Sequence, residues 1–171
     1  MKKHTKKLLS LALIIAVTAA LFLAACSENK GSTLTGSPKD IVRDVTSKFD
    51  FSDVEFLYKG DDMAEDVLYF SYGIDDPSVI EDFAICQRAD GRAASLAILK
   101  FGENVNADEL KNTLQTYYVE AMYSLFQLYI PEEYDIALGA TYKIYDNAIV
   151  LAIYDTAGNT EIFNVIDKYA E

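Results

Sequence analysis

Twice in this chain a pair of short strand-like runs closes on a tight turn and leads into a helix-spaced stretch, and that order constrains the fold more than any other feature. The first pair is Ile80 to Arg88 and Ala93 to Phe101, around Ala89-Asp90-Gly91-Arg92; the second is Thr141 to Tyr145 and Ala148 to Tyr154, around Asp146-Asn147. Turns this short impose antiparallel pairing. After the first pair, Asn106-Ala107-Asp108-Glu109 is a capping signature that opens the longest helical stretch, to about Tyr129, where Pro131 stops it. After the second, Asn159 can cap a helix with Ile162, Ile166 and Tyr169 on one face. Amphipathic helices need a sheet face to cover. The expected fold is therefore α+β, a two-layer sandwich on an antiparallel four-stranded sheet built from two β-hairpin-plus-helix units, with N-terminal helices. Ile149, Leu151 and Ile153 alternate with Ala148, Val150, Ala152 and Tyr154, so the last strand is apolar on both faces and is expected to be central.

Ahead of the hairpins, Ser37-Pro38-Lys39-Asp40 places a capping residue, a proline and an acid at a helix start, and Ile41, Val45 and Phe49 follow at helical spacing. A helix from Pro38 to Phe49 is predicted. Asp61 or Asp62 can cap a second one through Tyr72, and Gly73 suits the left-handed residue that ends it. Glu132 to Leu138 reads as one further helical turn ended by Gly139.

The long helix carries two apolar stripes. Leu110, Leu114, Tyr117, Ala121, Leu125 and Leu128 share one face, assigned to the sheet, while Val119, Tyr123, Phe126 and Ile130 point almost oppositely. A helix covering one sheet face needs only one such stripe. Either the N-terminal segment Pro38 to Tyr72 folds over the second, through Ile41, Val45, Phe56, Val67 and Phe70, or Val119, Tyr123, Phe126 and Ile130 form a binding surface for an envelope protein or an apolar ligand.

Five segments carry a family resemblance: Tyr-Gly-Ile-Asp at Tyr72 to Asp75, the paired hairpin strands, Ala-Asp-Glu-Leu at Ala107 to Leu110, Tyr-Ile-Pro-Glu-Glu-Tyr at Tyr129 to Tyr134, and the Tyr-Asp-Asn-Ala-Ile-Val-Leu-Ala-Ile strand. From about Val67 onward the chain resembles the small Gram-positive lipoproteins and envelope proteins grouped as domain of unknown function 4358. The resemblance implies a lipoprotein setting and the α+β order. It implies no activity and no functional residues.

The N-terminus agrees with that setting. Lys2, Lys3, Lys6 and Lys7 precede an apolar run from Leu8 to Ala25 and then Cys26, the pattern of a secretory leader. Leu23-Ala24-Ala25-Cys26 looks like a lipobox, so residues 1–25 are expected to be removed as a signal peptide, and Cys26 to receive a diacylglyceryl anchor on the extracytoplasmic face of the cell membrane. Two acyl chains hold where one gives only marginal attachment, at about 0.8 kcal/mol per buried methylene. Residues 26–36 are expected to be the lipidated cysteine and a flexible tether with a reach of about 18 Å. A single domain over 37–171 follows.

Composition then removes whole classes of function. The leader holds four lysines and no acids, so the mature chain keeps 11 basic and 27 acidic residues, a net charge of minus 16. Nucleic acid is excluded as a partner, since its binding depends on lysines and arginines. The one histidine, His4, leaves with the leader, which removes imidazole-dependent triads and most zinc sites. Neither a phosphate-binding glycine loop nor a calcium-loop spacing is present, so no cofactor or metal is expected. Cys86, left without a disulfide partner, is expected to be a buried packing residue. Adjacent acids at Asp61-Asp62, Asp75-Asp76, Glu81-Asp82 and Glu132-Glu133 fall in turns and helix starts, where carboxylates cap backbone amides. The expected function is a non-enzymatic, membrane-anchored interaction module of the envelope, with a carboxylate-dependent hydrolase of wall material as the rival.

Overall fold

The structure is a computed structural model that describes residues 31–171; the expected leader, Cys26 and the start of the tether lie outside them. Five strands form one antiparallel sheet: β1 (Val54–Tyr58), β2 (Ile80–Arg88), β3 (Ser95–Phe101), β4 (Thr141–Tyr145) and β5 (Ala148–Ile153), in the order β1-β2-β3-β5-β4. Both predicted hairpins are present, and Gly91 takes the left-handed φ of +74° that its turn requires. The class expected from the sequence is the one observed. The strand count is five rather than four, because Val54–Tyr58 pairs antiparallel with β2 through Phe56↔Cys86 and its neighbours.

The layer count differs too. Residues alternate across the sheet, so Ile85, Leu99 and Leu151 share one core with α2 (Ala64–Phe70), α3 (Ala107–Leu114) and α4 (Glu120–Tyr129). Cys86, Ile98 and Val150 face the other way, into a second core with α1 (Pro38–Thr46) and α6 (Thr156–Ile166). The sheet is therefore covered on both faces, and the molecule has three layers where two were expected. This is the reason β5 is buried along its whole length, and, as expected, it is an interior strand, flanked by β3 and β4.

Local chemistry explains most helix boundaries. Ser37 Oγ accepts from the Asp40 N–H, Pro38 opens α1, and Ile41, Val42 and Val45 are buried. Burial of such side chains contributes roughly 2 kcal/mol each, which holds a nine-residue helix too short to be stable alone. It ends at Thr46, short of the predicted Phe49. Asp155 caps α6 by accepting from the Gly158 N–H at 2.9 Å, so Asn159, the predicted cap, lies inside the helix. Its side chain donates to the Gly139 carbonyl at 2.7 Å. Asp61 does not cap α2, whose first turn follows Met63 in a left-handed conformation. Gly73 does take the predicted left-handed φ, +69°. The short α5 (Tyr134–Leu138) fills the predicted turn before Gly139.

Part of the expected tether belongs to the domain. Thr33 and Glu171 exchange backbone hydrogen bonds at 2.9 and 3.0 Å, and Leu34 is fully buried. Asn147 clamps Leu34 from the β4–β5 turn, accepting from its N–H at 2.9 Å and donating to its carbonyl at 3.1 Å. Ser32–Glu171 form one compact unit. Among the described residues no helix is long and apolar enough to cross a membrane.

Candidate functional site

The long helix is where the sequence placed its binding surface, and its geometry turns on five residues. Asn106 Oδ1 accepts from the Asp108 and Glu109 N–H groups, and Leu110 and Leu114 then pack on the sheet as predicted. Over Gln115–Val119 the backbone makes a π turn before α4 resumes. A π turn inserts one residue into the helical count and rotates everything after it by about 100°. The two stripes exchange roles at that point. Val119 and Phe126 are buried in the core, and Tyr123 and Ile130 pack against it half-buried. The proposed free surface of Val119, Tyr123, Phe126 and Ile130 is thus the core-facing side of α4. Tyr117, Ala121, Leu125 and Leu128, assigned to the sheet, are exposed instead; Leu128 is 72% exposed.

Packing under the turn accounts for its position. Tyr118 points inward and stacks on Tyr72 with ring centroids 4.3 Å apart, while its hydroxyl donates to Ser95 Oγ at 3.4 Å. Burial pushes the Tyr72 hydroxyl well above its ordinary pKa and raises that of Tyr118, so both stay neutral. Tyr117, on the outside, lies over Gly73, where a β-carbon would collide with its ring. The expected N-terminal cover is only partly realised. Val67, Leu68 and Tyr72 share the core with Val119 and Phe126, but Ile41 and Val45 lie on the opposite sheet face and Phe70 is exposed.

What remains outward is an apolar stripe at Tyr117, Ala121, Leu125 and Leu128, flanked by the exposed Tyr129. From Tyr117 to Leu128 the helix rises about 16 Å. Between Lys111 and Glu132 the only charged residue is Glu120. In a domain this acidic, such a charge-poor face is the feature that solubility does not explain.

The carboxylates are engaged with backbone. One member of each adjacent pair accepts an N–H: Asp61 from Tyr58, Asp76 from Ser78, Asp82 from Phe83 and Glu133 from Ala93, between 2.8 and 3.1 Å. A cavity of about 270 Å³ does gather Asp50, Glu133 and Asp155 with Arg88 and Arg92. There Asp155 caps α6, Asp50 accepts from the Ser52 N–H, and Glu133 is held by Arg92 and Ala93. Each acid is committed to holding a turn rather than facing a substrate. Among the described residues no group of three or more His, Cys, Asp or Glu is placed to hold a metal ion. Cys86 is a free, buried thiol whose pKa burial pushes up to about 12.

No family model matches this chain, and no curated protein or solved structure matches it either.

Proposed function

We propose that the chain is a lipid-tethered, extracytoplasmic interaction module that binds another envelope protein through the outer face of α4. The observation that carries this is the exposed Tyr117-Ala121-Leu125-Leu128 stripe, which leaves apolar surface in water on a domain otherwise rich in carboxylates. Tyrosine at its ends suits an interface, since the ring packs while the hydroxyl stays hydrated. Catalysis is not part of the reading, because the acids of the cavity that gathers Asp50, Glu133 and Asp155 are bound to backbone. Lipidation at Cys26 after removal of residues 1–25, the extracytoplasmic location, and membership of the 4358 family belong to the same proposal and rest on the sequence segments quoted above.

The occupant is a protein with a matching apolar helix or strip, not the bilayer. Glu133 ties the end of the α4 region to Arg92 and Ala93 at the β2–β3 turn, whereas Leu34, eight residues after Cys26 in the sequence, is tied to the opposite end of the sheet by Asn147. A photo-reactive residue at Leu128 in the full chain tests this. We expect adducts with one protein that disappear in a Leu125→Glu variant whose unfolding curve is unchanged, since exposed substitutions shift stability by less than about 0.5 kcal/mol. Adducts to lipid, adducts only to a second copy, or an unfolded Leu125→Glu chain would overturn the assignment. Mass spectrometry of the mature N-terminal peptide tests the anchor separately; an unmodified Cys26 would remove it.

A further inference from the structure

The edge of β1 is a second open surface, with its own chemistry. Strand β1 pairs only with β2. Lys59 donates to the Phe83 carbonyl and Ala89 donates to the Asp53 carbonyl, so the odd-numbered residues of this segment turn their backbone groups toward β2. Alternation then turns those of Val54, Phe56 and Tyr58 outward. Tyr58 is closed off: its N–H donates to Asp61 Oδ2 at 2.8 Å and its carbonyl accepts from the Asp61 N–H at 3.1 Å. Val54 and Phe56 keep two outward N–H and two outward C=O groups, the template for one more strand.

Beside that edge runs a groove of about 180 Å³ lined by Glu55, Phe56, Leu57, Val67, Ile85 and Gln87. Val67 and Phe70 stand at i and i+3 on one face of α2, which Met63 immediately precedes. Met63 and Phe70 are both more than two-thirds exposed. The segment itself is acidic, while Lys39 and Arg43 of α1 lie over the Tyr58 ring, on the face away from the groove. Between Asp50 and Phe70 there are seven exposed carboxylates and a single lysine, Lys59, whose ammonium is spent on the carbonyls of Ile80 and Glu81.

We propose that the β1 edge and this groove bind an extended cationic polypeptide segment as a sixth, antiparallel strand. Its lysines or arginines point to the groove face, where Glu55 and Leu57 both point, with stems along Leu57 and Val67 and charged heads at Glu55, and the apolar side chains between them lie against Phe56 on the other face. Charge selects this occupant over a second copy. Pairing two β1 edges would bring two sets of seven carboxylates together, and like charges across a strand pair are destabilising. The surface is independent of the α4 stripe, and either assignment can fail without the other.

The test uses the full mature chain and a synthetic, end-capped peptide of alternating lysine and valine, seven residues long. Binding is followed by fluorescence anisotropy, and amide hydrogen exchange is read at Val54 and Phe56. The expected result is slowed exchange at both amides, with affinity reduced about tenfold or more by Glu55→Lys, by Val54→Pro, or by N-methylation of alternate peptide amides. Val54→Pro removes only an outward N–H, so it should leave the sheet intact; Glu55→Lys covers the case in which it does not fold. Leu125→Glu should bind the peptide as the parent does. Equal affinity for the N-methylated peptide would reduce the effect to unspecific charge attraction and overturn the proposal. So would unchanged exchange at Val54 and Phe56, or protection of those amides by self-association without peptide.

Discussion

Glu133 is a buried carboxylate, 5% exposed, and its removal should damage the fold in a way that separates two of its bonds. Oε2 accepts from the Ala93 N–H at 3.0 Å and Oε1 from Arg92 Nη1 at 2.9 Å. Ala93 is fully buried, so without Glu133 its N–H has no route to water, a penalty of about 1–3 kcal/mol. Arg92 is different: its side chain is 46% exposed and can hydrate, so its ion pair contributes less than about 1 kcal/mol. Adding the lost packing of the glutamate stem, Glu133→Ala should cost about 2–4 kcal/mol. Glu133→Gln keeps a carbonyl acceptor for Ala93 and should cost about 1 kcal/mol, and Arg92→Ala no more than that. Urea unfolding followed by circular dichroism measures all three, with m unchanged if the native state is otherwise intact. Hydrogen exchange at the Ala93 amide should accelerate in Glu133→Ala alone. If Arg92→Ala is as harmful as Glu133→Ala, or Glu133→Gln is no better than alanine, the ion pair and not the buried N–H is what matters, and the reasoning fails.

Three further outcomes follow from single contacts. Gly73→Ala must hold a β-carbon at φ +69° against the Tyr117 ring, so it should destabilise by about 2 kcal/mol or more and alter the near-ultraviolet signal of the tyrosines; a neutral effect would mean that Tyr117 does not rest on Gly73. The hydrogen bond from Arg88 to Asp90 depresses the Asp90 pKa to about 2, so the stabilisation it gives the turn is present above the ordinary carboxylate range near 4 and is lost as pH falls through about 2. Arg88→Gln should return the Asp90 carboxyl toward that ordinary range in a carbon-13 titration, and no change would refute the pairing. Cys86, fully buried with a thiol pKa near 12, should resist a water-soluble thiol reagent at pH 8 in the folded chain and react on unfolding; prompt reaction in the native state would contradict its place under α1.

The hairpins and the α+β class were readable because period-2 apolar runs and short turns leave few alternatives. The remaining features were hidden for separate reasons. Strand β1, Val-Glu-Phe-Leu-Tyr, shows no clean alternation because neither face is fully covered: Glu55 and Leu57 line an open groove, while Phe56 and Tyr58 stack on each other beside α1. Its aromatic and β-branched content between Ser52-Asp53 and Gly60-Asp61 was nevertheless a strand signal. The third layer was legible in β5, whose two apolar faces called for a cover on each side as well as an interior position. The π turn has no residue signature, and counting 100° per residue through it exchanges inside and outside. A trace was present all the same: the first stripe has no large aliphatic between Leu114 and Leu125, and the second begins inside that gap at Val119. Both stripes were correctly found, and only their assignment depended on the backbone. Glu133 looked like a solvated turn acid, since nothing in sequence announces that Ala93 will be buried forty residues away.

The fold also gives its open surfaces a direction. Seven peptide spacings, at most about 25 Å of chain, separate Cys26 from Thr33, which lies at the end of the sheet beside the β4–β5 turn. Strand β3 runs from that end to the β2–β3 turn, seven residues or about 23 Å farther out. Val54 pairs with Arg88 at the distal turn, and the segment after α4 is tied to that turn by Glu133, so both proposed surfaces lie toward the half of the sheet away from the β4–β5 turn. The near end carries the exposed carboxylates Glu103, Asp146 and Glu171, which an anionic headgroup surface repels. On the proposal that Cys26 is lipidated, attraction through the acyl chains and repulsion through these carboxylates would act at the same end of the molecule. Together they would hold the domain close to a membrane without laying it flat, which is the arrangement a module needs if its binding faces are to meet other proteins.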